Sequence, residues 1–173
     1  MPSHLFVAAA LLLCSTAGAA GLRDLPATPG SLDTLNPGTH RCGEWGDGVR
    51  CVRPGLATDR VAGLPVIEVA LFYRRGNLVR AVFSVTEQHF DAAVMNLTAQ
   101  LGEPEAGAEA LKAGMGGIFV NHFRIWRESG RVWLFEQFFD RITNSGLWLL
   151  TDAEFDGLMG ERERARVRGA RDL

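Results

Sequence analysis

Between Val66 and Leu101 the hydrophobic period of the chain changes from two to about 3.6, and few folds accept that change. Ile67, Val69, Leu71 and Tyr73 alternate with Glu68, Ala70, Phe72 and Arg74. After Arg75-Gly76-Asn77 the alternation resumes, with Val79, Ala81, Phe83 and Val85 set against Leu78, Arg80, Val82 and Ser84. This is the pattern of strands with one buried face. A three-residue loop would pair Tyr73 with Val79 and Leu71 with Ala81, so both apolar sets share that face. From Phe90 the spacing turns helical: Phe90, Ala93, Val94, Leu97 and Leu101 form one stripe. Thr86 is placed to cap the helix, and Gly102 followed by Pro104 ends it. A hairpin followed at once by an amphipathic helix buries both apolar surfaces when the helix lies on the sheet.

The later chain extends the same plan. Residues 103–116, rich in Glu, Ala and Gly, read as a loop with a helical turn or two over Ala108 to Ala113. Ile118 to Arg127 and Val132 to Phe139 read as a second hairpin turning at Ser129-Gly130, which sets Trp126 opposite Trp133 and Glu128 opposite Arg131. Gly146 to Leu150 adds a strand after the turn signal Asn144-Ser145-Gly146. Thr151-Asp152-Ala153-Glu154 matches a capping box, and Phe155, Leu158 and Met159 give a short apolar stripe behind it. The expected fold class is α+β: an antiparallel sheet of about five strands packed on one side by a helix, plus a stapled N-terminal hairpin.

That staple is Cys42 and Cys51, which flank the turn-rich stretch Gly43 to Arg50 with Asp47-Gly48 as its hairpin signal. Their pairing as a disulfide depends on an oxidising compartment, and the first residues supply the address. Leu5 to Leu13 is an apolar run of signal-peptide length, and Ala17-Gly18-Ala19 has the form of a cleavage site. The run falls short of the roughly 20 residues a membrane span needs. Leu13 directly before Cys14 fits a lipoprotein signal badly. The expected organisation is a signal peptide over 1–19, an extended leader over 20–40, one domain over 41–160 and a charged tail over 161–173. The destination is the periplasm or the exterior.

The formal net charge of −2 argues against nucleic acid or an anionic membrane as the main partner. No G-x-S-x-G, H-E-x-x-H, Walker A or dinucleotide fingerprint occurs, and nothing indicates a metal or other cofactor. His122, Arg124 and Trp126 fall on one strand face, with Trp133 and Phe135 across the hairpin. Together they are the candidate binding surface, since aromatic and Arg side chains dominate interface energetics. The expected function is thus that of an exported, non-catalytic domain binding a protein or envelope component. Two alternatives stand beside it. One is a hydrolase using His122 with Glu136 or Asp140, and the other is an inhibitor of a secreted enzyme presenting Trp45. The mature chain is expected to begin after Ala19 and to carry no free thiol, because Cys14 leaves with the signal. Intact-mass spectrometry with and without an alkylating reagent checks both points. Retention of residues 1–19, or alkylation of Cys42 without reduction, would end the export reading.

Overall fold

The computed structural model describes residues 40–171 apart from 58, 113–116 and 129. The proposed signal and nearly all of the leader therefore lie outside the described residues. Within them the fold is α+β, and its sheet has eight strands, all paired antiparallel. In chain order these are β1 (Arg41–Trp45), β2 (Gly48–Pro54), β5 (Glu68–Arg74) and β6 (Asn77–Thr86), then β7 (Glu105–Lys112), β8 (Ile118–Glu128), β9 (Arg131–Glu136) and β10 (Asn144–Leu150). A separate two-stranded ribbon, β3 (Arg60–Val61) with β4 (Leu64–Pro65), interrupts the first half. Helix α1 (Phe90–Leu101) follows β6, and helix α2 (Asp152–Arg171) follows β10. The spatial order β1-β2-β5-β6-β10-β9-β8-β7 joins two meanders, each closing in a helix, at the central β6–β10 pair.

The two helices cover opposite faces, so neither face of the central strands alternates cleanly between apolar and polar. On one face Val69, Leu71, Tyr73, Ala81, Phe83 and Val85 pack with Phe90, Ala93 and Leu97 of α1, as the periodicity predicts. Burial there pushes the Tyr73 phenol up to about 12. Trp126, Trp133 and Phe135 extend the same layer, with Phe135 stacked on Phe90 at 4.8 Å. On the other face Ala70, Phe72, Val82, Leu134, Trp148 and Leu150 meet Phe155, Leu158 and Met159 of α2. The expectation of a helix on one side alone is corrected here: the residues opposite the first apolar set are themselves small or apolar, and they require a second cover.

Other departures have local causes. The 105–112 segment is a strand, because its pairing with β8 overrides the helix preference of Glu, Ala and Leu. With it, and with the stapled hairpin joined edge to edge, the sheet grows from about five strands to eight. The first hairpin pairs Leu71 with Ala81, but a bulge between Phe72 and Tyr73 sets Tyr73 against Leu78 and leaves Arg75-Gly76 as the turn. The β1–β2 turn falls at Gly46-Asp47, with Gly48 already in β2. A side chain at Gly48 would collide with the Tyr73 carbonyl. Thr86 makes no capping hydrogen bond; a short 3-10 turn, Glu87–His89, intervenes before α1. The charged tail continues α2 rather than departing from it.

The capping box forms by half. The Thr151 hydroxyl accepts from the Glu154 amide at 3.4 Å, but the Glu154 carboxylate does not reach back. It is instead bound by Arg74 and by Arg80, the latter at 2.8 Å. The Arg80 guanidinium also lies over Trp45 at 4.9 Å and Phe72 at 5.0 Å. This cluster ties the stapled hairpin to α2, and the Cys42–Cys51 disulfide sits directly across its register. Replacing Leu97 by Ala is expected to cost about 2–5 kcal/mol by opening a cavity under α1. Met95→Ala, at an exposed position on the same helix, is expected to stay within about 0.5 kcal/mol of the parent. Urea unfolding of both variants checks the assignment of the buried face.

Candidate functional site

The β7–β8 arm creates a concavity among the described residues. β8 has eleven residues, but β9 pairs only with Phe123 to Glu128. The first part of β8 is therefore paired with β7 alone and runs past the rest of the sheet. Helix α2 crosses the same side, and a groove of about 890 Å³ opens between them. Phe123, Phe138, Phe139, Trp148 and Met159 form its apolar walls. Phe123 lies over Gly107, where any Cβ would strike its ring at 2.3 Å. Glycine at that position is what lets the ring lie flat across the arm. Phe139 meets Trp148 edge-on at 5.2 Å, and Phe119 meets Phe138 edge-on at 6.3 Å. On the opposite face of the arm, the face of His122, Ile118 and Val120 are 69% and 53% exposed.

The polar groups of the groove gather around one buried carboxylate. Glu136, only 3% exposed, pairs with Arg162 of α2 at 2.8 Å, and Glu109 of β7 lies 3.7 Å from the same guanidinium. Asn121, also buried, donates to Glu109 at 3.3 Å and accepts from the Phe138 amide at 2.9 Å. Desolvation raises the pKa of Glu136 above the ordinary carboxylate range. The hydrogen bond and charge of Arg162 oppose that rise, and Glu109 adds to it. The Trp148 indole N–H, directed at Glu136, also favours its charged form.

The residues singled out from the sequence are distributed differently. Trp126, Trp133 and Phe135 share a face with His122 and Arg124, but α1 covers all three aromatic rings, which are at most 2% exposed. The Trp126 N–H donates to the Gly102 carbonyl at 2.9 Å and the Trp133 N–H to Glu128 at 3.0 Å. Only His122 is exposed; Arg124 is half-buried and donates to the Phe123 carbonyl. The proposed aromatic surface is thus core, because the helical stripe that follows the first hairpin also reaches the second. His122 and Glu136 occupy opposite faces of the sheet, since Phe123, next to His122, is the residue paired with Glu136. Among the described residues His122 makes no hydrogen bond or ion pair to a carboxylate. Asp140 accepts instead from Asn144 at 3.0 Å. Trp45 is half-buried, edge-on to Phe72 and under Arg80.

No group of three or more His, Cys, Asp or Glu among the described residues could hold a metal ion. Likewise no helix among them is long and apolar enough to cross a membrane. No protein-family model, no curated protein and no solved structure matches the chain. The disulfide is consistent with an oxidising, non-cytosolic setting.

The raised pKa of Glu136 has a defined consequence for stability. A carboxyl that holds its proton more tightly when folded stabilises the fold most below its unfolded pKa, and that contribution is lost as pH rises through the folded value. Glu136→Gln is expected to remove this decline. Thermal unfolding of both proteins from pH 4 to pH 8 checks it: the difference in Tm between variant and parent should move in the variant's favour with rising pH.

Proposed function

We propose that the protein is an exported, non-catalytic binding domain, and that its site is the groove between the β7–β8 arm and α2. The observation that carries this reading is the groove itself: an open, largely aromatic concavity with a few convergent polar groups at its floor. Binding sites generally have that make-up. Phe119, 38% exposed and edge-on to Phe138, continues the apolar surface outward, in keeping with a protein or envelope component as the ligand. The disulfide and the signal-like start of the sequence support a partner outside the cytosol. The hydrolase reading gains nothing from His122, which stands away from the groove and across the sheet from Glu136. The inhibitor reading loses the exposed Trp45 it requires, because that ring is engaged by Phe72 and Arg80.

Ala165 lies on the exposed side of α2 and borders the groove. A tryptophan there fills the mouth without disturbing either core layer. Ala165→Trp is expected to reduce recovery of envelope components in affinity capture at least about ten-fold, with an unchanged circular dichroism spectrum. Recovery equal to that of the parent would remove the groove as the site.

A further inference from the structure

The end of the β7–β8 arm is apolar on both of its faces. Ile118, Phe119 and Val120 are consecutive and all exposed, and no other run of large apolar side chains is exposed among the described residues. None of the three lines the groove. Single exposed apolar residues are ordinary on a protein surface, but a contiguous group marks a contact. Strand alternation puts Ile118 and Val120 on one face of the arm and Phe119 on the other. β9 stops short of them, so β7 is their only strand neighbour among the described residues. Across that register stand Lys112, Leu111 and Ala110. Only the edge of Phe138 approaches Phe119 from outside the arm.

The charge near this tip differs from that of the chain as a whole. The formal net charge is −2, yet the stretch from Ala110 to Arg127 holds Lys112, Arg124 and Arg127 and neither Asp nor Glu. Arg127, at the base of the arm, is taken up by Glu105 at 3.3 Å. Arg124 donates to a backbone carbonyl rather than to a carboxylate. Glu109 belongs to the groove face, beside Arg162. At the same end of the sheet the exposed Asp140 and Arg141 offset one another. The excess that remains at the tip is cationic.

An apolar tip exposed on both faces fits a partner that closes around it. A folded protein covers one face at a time. The fluid boundary between lipid headgroups and acyl chains covers both at once, and anionic headgroups complement the cationic excess. Insertion stays shallow, because no described strand satisfies the backbone groups on the outer edge of β7, and these must keep their hydration. We propose that the end of the β7–β8 arm is a docking tip for an anionic phospholipid surface, seating Ile118, Phe119 and Val120 at the headgroup–acyl boundary. This surface is separate from the groove and does not depend on the groove being a binding site.

Flotation of the mature protein with phosphatidylcholine vesicles, with and without phosphatidylglycerol, tests the proposal. The parent is expected to float with the phosphatidylglycerol vesicles and to be partly released by salt. The double variant Ile118→Asp, Val120→Asp should partition at least about ten-fold less, with an unchanged circular dichroism spectrum, since both positions are exposed. Lys112→Ala should partition about five-fold less. Phe119→Trp should shift its emission to the blue when those vesicles are added. Ala165→Trp, which fills the groove, is expected to float like the parent, so the tip and the groove are read separately. The proposal is overturned by failure to float with either vesicle, by equal flotation of the double variant, or by loss of flotation in Ala165→Trp. A dimer that forms without lipid and is abolished in the double variant would also overturn it, because the tip would then be a protein contact.

Discussion

The pairing of β6 with β10 is the constraint on which the rest of the structure depends. It runs from Thr86 opposite Asn144 to Arg80 opposite Leu150, and it joins residues close to sixty positions or more apart in sequence. Each flanking meander is made mostly of neighbours in sequence, so local turns are enough to assemble it. Only the central pair makes one sheet of the two. It also sets where the helices go: Glu87, just after β6, donates its amide to Thr143 just before β10, and the Thr151 amide after β10 returns to the Val79 carbonyl. Both chain exits are thereby fixed at the seam, and α1 and α2 leave it for opposite faces. Closing so long a loop is entropically unfavourable, and it is offset only when both core layers form.

The parts legible in the sequence were those in which one physical signal acts alone. The Val69–Tyr73 and Ala81–Val85 alternation, the Phe90–Leu101 stripe and the Trp126–Trp133 register each follow from a single period, and all three stand in the fold. The 105–112 strand was hidden because its residues prefer helices when isolated; β8 supplies the missing hydrogen-bond partners, and no local pattern announces that. The second cover was hidden for a related reason. Ala70, Phe72 and Val82 occupy positions that a one-faced sheet leaves polar, and that excess of apolar residues was the available sign of α2 on the far side.

The candidate site shows the same division. The aromatic residues were correctly grouped on one face, yet burial depends on which helix reaches that face, and this is decided by the β6–β10 seam. The groove is instead built by residues that look unremarkable singly: Glu109 in an alanine-rich run, Glu136 at a strand end, Arg162 in an alternating charged tail. A tail of alternating charge normally indicates solvent on all sides. Here one of its arginines is drawn inward by Glu136, and the helix follows.

Among the described residues no strand pairs with the outer edge of β7, and that edge has a bearing on how the molecule behaves in company. An uncovered edge strand with small side chains is a template for further strands. Two copies meeting antiparallel, with a two-fold axis normal to the sheet, must pair residues of like face, which leaves few registers. Centring on Glu109 sets that carboxylate against its own copy, and centring on Gly107 sets Glu105 against Glu109. Centring on Ala108 leaves them on the diagonals. Cross-strand like charges are unfavourable in every case. Two glutamates in a run of alanines thus discourage runaway sheet growth.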